Sequence, residues 1–198
     1  MPLRCERDTE IYAQDDPAEH CYRVVSGGVR MIKLVEDGRR HVAEFIMAGD
    51  LFGFDALDRY DYAAQAFTTT QVSRYPRPIV ERLTEQDSLL ARTLRTLTIV
   101  KLRQMHDRAL VLAYKSTLER LASFLLDMTR RSALEACGCL ELRMSRKDIA
   151  DYLGMTVETV SRNFTQLRQD RLIEIDHASH IEIRDRRALA RIANVPRR

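Results

Sequence analysis

The chain has 198 residues, 31% of them charged, and a formal net charge of +3. That length can bury one sizeable core or two small ones, and the modest charge excludes a basic surface over the whole chain, so any affinity for nucleic acid must be local. No apolar run approaches the ~18 residues of a spanning helix, and the opening MPLRCERDTE is too polar for a secretory leader. The expectation is a cytoplasmic protein with no membrane partner, in which Cys5, Cys21, Cys137 and Cys139 stay reduced. Cys137-Gly138-Cys139 has neither zinc-knuckle nor cluster spacing and is read as loop thiols, Cys21 as a small hydrophobe and His20 as a surface residue.

From about Glu10 to Tyr75 the pattern is one of short β-rich runs, Tyr22–Val25, Val29–Val35, His41–Ile46 and Gln71–Tyr75. Turn signals separate them at Ser26-Gly27-Gly28, Glu36-Asp37-Gly38 and Ala48-Gly49-Asp50, and Asp-Gly is a strong hairpin signal. A barrel or jelly roll is expected over residues 1–83, with Pro76 and Pro78 closing the β section.

Residues 84–112 hold a helical pattern without proline or glycine. Leu90, Leu94 and Leu97 step by four and three; after a phase slip Leu102, Met105, Ala109 and Leu112 step by three, four and three. The stripe is too long for the β section to cover, which favours a self-pairing seam between two subunits over core packing. Ser116-Thr117-Leu118-Glu119 is a capping box that starts a further helix carrying Leu118, Leu121, Ala122, Leu125 and Leu126 into a second domain, residues 113–198.

Two short amphipathic helices follow within Met144–Leu167. Ser145, three residues before Asp148, starts the first; Ile149, Ala150 and Leu153 are its apolar set; Gly154 can take positive φ and end it. Thr156 suits the N-cap of the second, in which Val157, Val160, Phe164 and Leu167 share one face and Glu158, Ser161, Arg162 and Thr165 the other. The result is a helix-turn-helix candidate whose second helix would lie in a DNA major groove. After it, Leu172–Ile175 and Ile181–Ile183 flank Asp176-His177-Ala178-Ser179-His180 as a two-stranded wing with solvent-exposed histidines. Arg184, Arg186, Arg187, Arg191, Arg197 and Arg198 read as a solvated tail or, functionally, as a source of nonspecific phosphate attraction.

This order of β-roll, long pairing helix and winged helix-turn-helix resembles the Crp–Fnr superfamily of bacterial transcription regulators, an α+β fold. Glu10-Ile11-Tyr12, Asp16-Pro17-Ala18 and Tyr22-Arg23-Val24-Val25-Ser26-Gly27 resemble its opening strands, and Gly49-Asp50-Leu51-Phe52-Gly53-Phe54-Asp55-Ala56 is similar to the Fnr branch. Closest is Asp151-Tyr152-Leu153-Gly154-Met155-Thr156-Val157-Glu158-Thr159-Val160-Ser161-Arg162. The resemblance implies a homodimer reading a TTGA-containing inverted repeat. Arg162 can give two parallel hydrogen bonds to guanine O6 and N7, Glu158 can accept from a cytosine N4 amine, and Ser161 is the third base-reading candidate. Ser145, Arg146, Lys147, Thr156, Thr159 and Arg168 are the candidates for the DNA backbone.

Departures from the family narrow the reading. Its cyclic-AMP-binding members are similar in a Gly-Glu pair for the ribose and an Arg-Ser pair for the phosphate; here stand Gly53-Phe54-Asp55 and Arg59-Tyr60-Asp61-Tyr62. A phenyl ring cannot bond a ribose hydroxyl, and Asp61 would repel the phosphate. Arg59 is read as a solvated loop arginine, with anion contact as the alternative. Iron–sulfur members carry an N-terminal cysteine cluster and one more cysteine late in the roll, where this chain has Cys5 alone and Ser73. The chain is thus similar to the FixK-like branch without that cluster, and no cofactor is expected. The expected function is a homodimeric DNA-binding regulator, an activator in a low-oxygen gene programme with RNA polymerase as a partner. The alternatives are a sensor of haem, nitric oxide or a nucleotide on the same DNA domain, and an enzyme, for which no catalytic arrangement stands out.

Overall fold

The computed structural model describes residues 2–35, 38–54, 56–131, 139–177 and 179–194, and divides into two compact units, Met1–Asp107 and Arg108–Arg198. The first unit opens with strands β1 (Pro2–Cys5), β2 (Glu10–Tyr12), β3 (His20–Ser26), β4 (Gly28–Leu34), β5 (Arg40–Met47), β6 (Leu51–Phe52), β7 (Ala63–Ala66) and β8 (Thr70–Pro76). They form two antiparallel four-stranded sheets in the orders β1-β8-β3-β6 and β2-β7-β4-β5. Alternation drives the pairing: Tyr22 and Val24 of β3 and Thr70 and Val72 of β8 turn inward, while Arg23 and Gln71 face water. Both sheets feed one core of Tyr12, Tyr22, Val24, Val29, Met31, Ile46, Phe52, Tyr60, Ala64 and Val72.

The β4–β5 hairpin forms as its turn residues suggest, with Val35 N–H donating to Arg39 O at 3.1 Å and Gly38 at φ 80°; Glu36 and Asp37 lie outside the described residues. Gly28 is required by close approach, since a Cβ there would sit 2.3 Å from the Phe67 ring.

Two helices stand where one was expected. Pro76 and Pro78 do not merely close the β section; they open α1 (Arg77–Gln86), Pro78 lying in its first turn, where a missing N–H costs nothing. Asp87 then accepts from Leu89 N–H at 2.8 Å and Leu90 N–H at 3.2 Å and starts α2 (Ser88–Tyr114). No residue of α2 is buried in the single chain. Of the expected seam, Leu97, Leu102, Met105 and Ala109 are exposed, whereas Leu90, Leu94 and Leu112 are half-buried against their own chain.

The second unit contains the end of α2, then α3 (Thr117–Arg131), β9 (Cys139–Glu141), α4 (Arg146–Leu153), α5 (Val157–Gln169), β10 (Ile173–His177), β11 (His180–Ile183) and α6 (Arg186–Ile192). The capping box at α3 forms reciprocally: Glu119 accepts from Ser116 N–H at 2.7 Å and Ser116 Oγ from Glu119 N–H at 3.4 Å. Leu121, Phe124, Leu125 and Met128 of α3 pack with Ile149, Leu153, Phe164, Leu167 and Leu189 at the centre of this unit.

The wing is three-stranded, in the order β10-β11-β9, so Cys139 belongs to a strand rather than a loop, and Cys137 lies outside the described residues. The basic tail is also reassigned: Arg186, Arg187 and Arg191 belong to α6, which Asp185 caps and buried Leu189 anchors. Arg184 is paired with Glu174 and with Glu182, the latter at 2.8 Å. Arg197 and Arg198 lie outside the described residues.

Candidate DNA-recognition site

The helix pair is built from its caps. Ser145 Oγ accepts from Asp148 N–H at 3.0 Å and donates to Asp148 Oδ2 at 2.7 Å, and the same carboxylate accepts from Ser145 N–H at 3.3 Å. Asp148 is buried by this box, and both hydrogen-bonding directions of the Ser145 hydroxyl are engaged in starting α4. Gly154 ends α4 at φ 62°, ψ 47°, the left-handed region that glycine enters without Cβ strain. Thr156 caps α5, its Oγ1 accepting from Thr159 N–H at 3.2 Å.

Val160, Phe164 and Leu167 bury the inner face of α5 as their spacing requires. Val157, the fourth residue of that set, is 38% exposed because it sits in the first turn beyond the cover of the core. Asn163 takes its place in the buried group. Sequence reasoning missed Asn163, since an amide at a helix position normally signals solvent.

Glu158, Ser161, Arg162 and Thr165 share the exposed face. Two hydroxyls turn back onto the helix, Ser161 Oγ donating to Val157 O at 2.9 Å and Thr165 Oγ1 to Ser161 O at 3.0 Å, which leaves acceptor lone pairs outward. Arg162 Nη2 donates to Thr159 Oγ1 at 3.2 Å, so the guanidinium stands over the first turn. The Glu158 carboxyl is held below the usual glutamate range by its own backbone N–H, then by the Thr156 hydroxyl and the Arg162 charge. An anion and a cation thus lie one turn apart on an exposed helix face with no role in the core.

The backbone-contact candidates fall into two groups. Lys147 and Arg168 are exposed, and Thr156 and Thr159 lie at the start of α5. Arg146 is different: its guanidinium carbon lies 3.4 Å from the Phe164 ring centroid, and burial pulls its pKa down. Its cation clamps α4 onto the inner face of α5, a packing role that spacing alone did not reveal. Two more cations that the sequence did not single out hold the helix pair from behind: Arg120 donates to Leu153 O at 3.1 Å, and Arg108 to Tyr152 O at 2.9 Å.

The roll does not fit a cyclic nucleotide. Tyr12, Tyr22, Phe52 and Tyr60 fill its interior, Tyr12 and Tyr60 stacking with centroids 3.7 Å apart. Phe54 lies under the Lys101 ammonium at 5.1 Å, and Lys101 pairs with Glu44 at 3.2 Å. Arg59 is exposed and donates from Nη1 to Asp15 O at 2.5 Å, and Asp55 lies outside the described residues. Cys5 and Cys21 are buried on β1 and β3, and Ser73 lies on β8. Among the described residues no group of three or more metal-binding side chains is assembled, and no helix is long and apolar enough to cross a membrane.

A winged helix-turn-helix with a polar outward face, preceded by a β-roll and a long exposed helix, defines a DNA-binding transcription regulator. Comparison with known proteins agrees: residues 119–192 match the Crp-like helix-turn-helix domain and residues 2–87 the cyclic nucleotide-binding domain. The chain is 39% identical over 194 residues to the nitrogen fixation regulation protein FixK of Azorhizobium caulinodans, covering 96% of this chain and 78% of that protein. The FixK of Rhizobium meliloti is 37% identical over 93% of this chain and 83% of its own length. The structure of FixK2 from Bradyrhizobium japonicum superposes with a TM-score of 0.94 at 39% identity, over 100% of this chain and 98% of that one. The chain belongs to the Crp–Fnr family of transcription regulators, alongside FixK. These relatives are regulators, not enzymes.

Proposed function

We propose that the protein is a cytoplasmic homodimeric activator that reads a TTGA-containing inverted repeat and recruits RNA polymerase in a low-oxygen gene programme. The observation that carries this reading is the exposed Glu158–Ser161–Arg162 face on a helix capped at Thr156. Arg162 serves the guanine through O6 and N7, Glu158 accepts from the N4 amine of a cytosine, and Ser161 presents lone pairs at the groove floor. Lys147, Arg168, Thr156 and Thr159 serve phosphates. Ser145 acts on DNA only through its cap, and Arg146 through Phe164.

Residues 1–83 form the roll domain, residues 84–112 the pairing segment and residues 113–198 the DNA-binding domain of this working unit. A second copy would cover Leu97, Leu102, Met105 and Ala109 of α2, together with Val100, which is 43% exposed. Full burial of an exposed leucine contributes about 1.5–3 kcal/mol, and Leu97 and Leu102, 36% and 52% exposed in the single chain, would each contribute about a third to a half of that. Two recognition helices related by a two-fold axis and about 34 Å apart then meet successive major grooves of a near-palindrome. Selection of bound duplexes from a random pool by the purified protein, without added ligand, tests the reading. An enriched inverted repeat with TTGA in each arm supports it; no enrichment, or a single unpaired arm, refutes it.

A further inference from the structure

Three cations near α2's end, Arg108, Lys115 and Arg120, donate to backbone carbonyls. Arg120, one turn into α3, donates from Nε to Lys115 O at 3.0 Å and from Nη2 to Leu112 O at 2.8 Å. Its Nη1 donates to Leu153 O at 3.1 Å and Gly154 O at 3.3 Å. Arg108 lays its guanidinium 4.0 Å from the Tyr152 ring centroid and donates from Nη2 to Tyr152 O at 2.9 Å. Lys115 Nζ donates to Ala193 O at 2.6 Å and to Ser123 Oγ at 2.8 Å.

These carbonyls have a common character. Leu112 lies in the last turn of α2, and Tyr152, Leu153 and Gly154 lie at the end of α4, where carbonyls have no partner within the helix and carry the negative end of its dipole. A guanidinium forked across two such ends satisfies both and fixes their relative geometry in a way that a flexible ammonium on one carbonyl does not. The end of α2 and the turn of the helix pair are therefore one rigid piece, consistent with Arg108–Tyr114 falling in the same compact unit as the helix pair.

We propose that Arg108 and Arg120 are positioning residues that set the half-site spacing the regulator reads. The proposal rests on the dimer reading above, in which α2 pairs with its copy. In that dimer the weld converts the position of α2 into a fixed separation and rotation of the two α5 helices. One added or removed base pair moves a half-site by about 3.4 Å and turns it by about 35°. A welded pair cannot follow that change; a pair released at the α2–α4 joint can. Neither arginine lies on the Glu158–Arg162 face, so base reading within one arm does not depend on them.

The experiment uses the full chain as wild type, Arg120→Met, Arg120→Lys and Arg108→Met, with fluorescence anisotropy on duplexes of two kinds. One set keeps both arms and changes the spacer by one or two base pairs; the other keeps the spacer and changes single bases in one arm. Wild type should lose about tenfold or more in affinity for a one-base-pair spacer change, and Arg120→Met no more than about threefold, with single-base penalties as in wild type. Arg120→Lys and Arg108→Met should fall between. Retained single-base penalties certify that a variant is folded, and Arg108→Met keeps every Arg120 bond if Arg120→Met fails that check. Variants with the wild-type spacer profile overturn the proposal, as do variants that lose spacer and base discrimination together. A wild type indifferent to spacer length removes the dimer reading and the proposal with it.

Discussion

Replacing Arg146 by alanine separates a packing role from a phosphate role. The guanidinium carbon sits 3.4 Å from the Phe164 centroid, a contact removed in part from water, and burial already lowers its pKa. A half-buried cation–π pair is worth about 1 kcal/mol, and the aliphatic stem adds packing of about 1 kcal/mol that alanine forfeits. The expected loss is therefore about 2 kcal/mol, which for a chain of this length lowers the melting temperature by about 4–8 °C. Thermal melts of the full chain measure it, and salt titrations of DNA binding supply the contrast. The slope of log affinity against log salt should stay within a few tenths of wild type, because one phosphate contact contributes about 0.9 and Arg146 makes none. An unchanged melting temperature together with a slope smaller by about one unit would show that Arg146 faces phosphate and that the stacking carries no weight.

Gly154→Ala should destabilise the protein by about 1–2 kcal/mol through backbone strain, since φ is 62° while an added Cβ meets nothing closer than Arg120 Nη1 at 3.7 Å; a denaturant midpoint equal to wild type would contradict this. The Glu119 carboxyl is held below the usual glutamate range by the Ser116 hydroxyl and then the Ser116 N–H, so the stability it adds is full above the ordinary value of about 4.3 and is lost as pH falls through the lower folded value. The stability gap between wild type and Glu119→Gln should accordingly shrink on going from pH 6 to pH 3, and a constant gap would sink the assignment. Cyclic AMP should neither give a saturable calorimetric signal nor alter DNA affinity, because Phe54 is stacked under Lys101 and aromatic rings fill the roll.

Much of this architecture was legible because it rests on side-chain pattern. Valine, isoleucine and aromatic residues marked β3, β4, β5 and β8, and serine, glycine and threonine at fixed offsets marked the ends of α3, α4 and α5. What escaped detection has a physical reason in each case. The Ala63–Ala66 strand carries three alanines and one glutamine, residues without a strand signature, and is held by its neighbours β2 and β4. Asp87 splits the long helical pattern by capping, yet its polar side chain looks like any solvated position. The α2 stripe mixes two duties: Leu94 is half-buried and lines a cleft together with Phe54 and Cys21, while Leu97 and Met105 stay exposed, so one periodicity describes neither face. Arg108, Arg120 and Arg146 act on backbone carbonyls and on rings distant in sequence, which no local spacing encodes. The exposed face of α5, by contrast, follows directly from its helical period.

The most direct test of the central claim compares Arg162→Ala with Lys147→Ala on the selected site and its single-base variants, each over a range of salt. If the outward face of α5 reads bases, Arg162→Ala costs about 1–3 kcal/mol on the preferred site and flattens discrimination at one guanine, with little change on unrelated DNA. Lys147→Ala, which meets only phosphate, weakens all sequences nearly alike and reduces the salt slope by about one unit. If instead Arg162→Ala lowers binding to every sequence equally while Lys147→Ala alters base preference, then the Glu158–Arg162 face is not the reading surface.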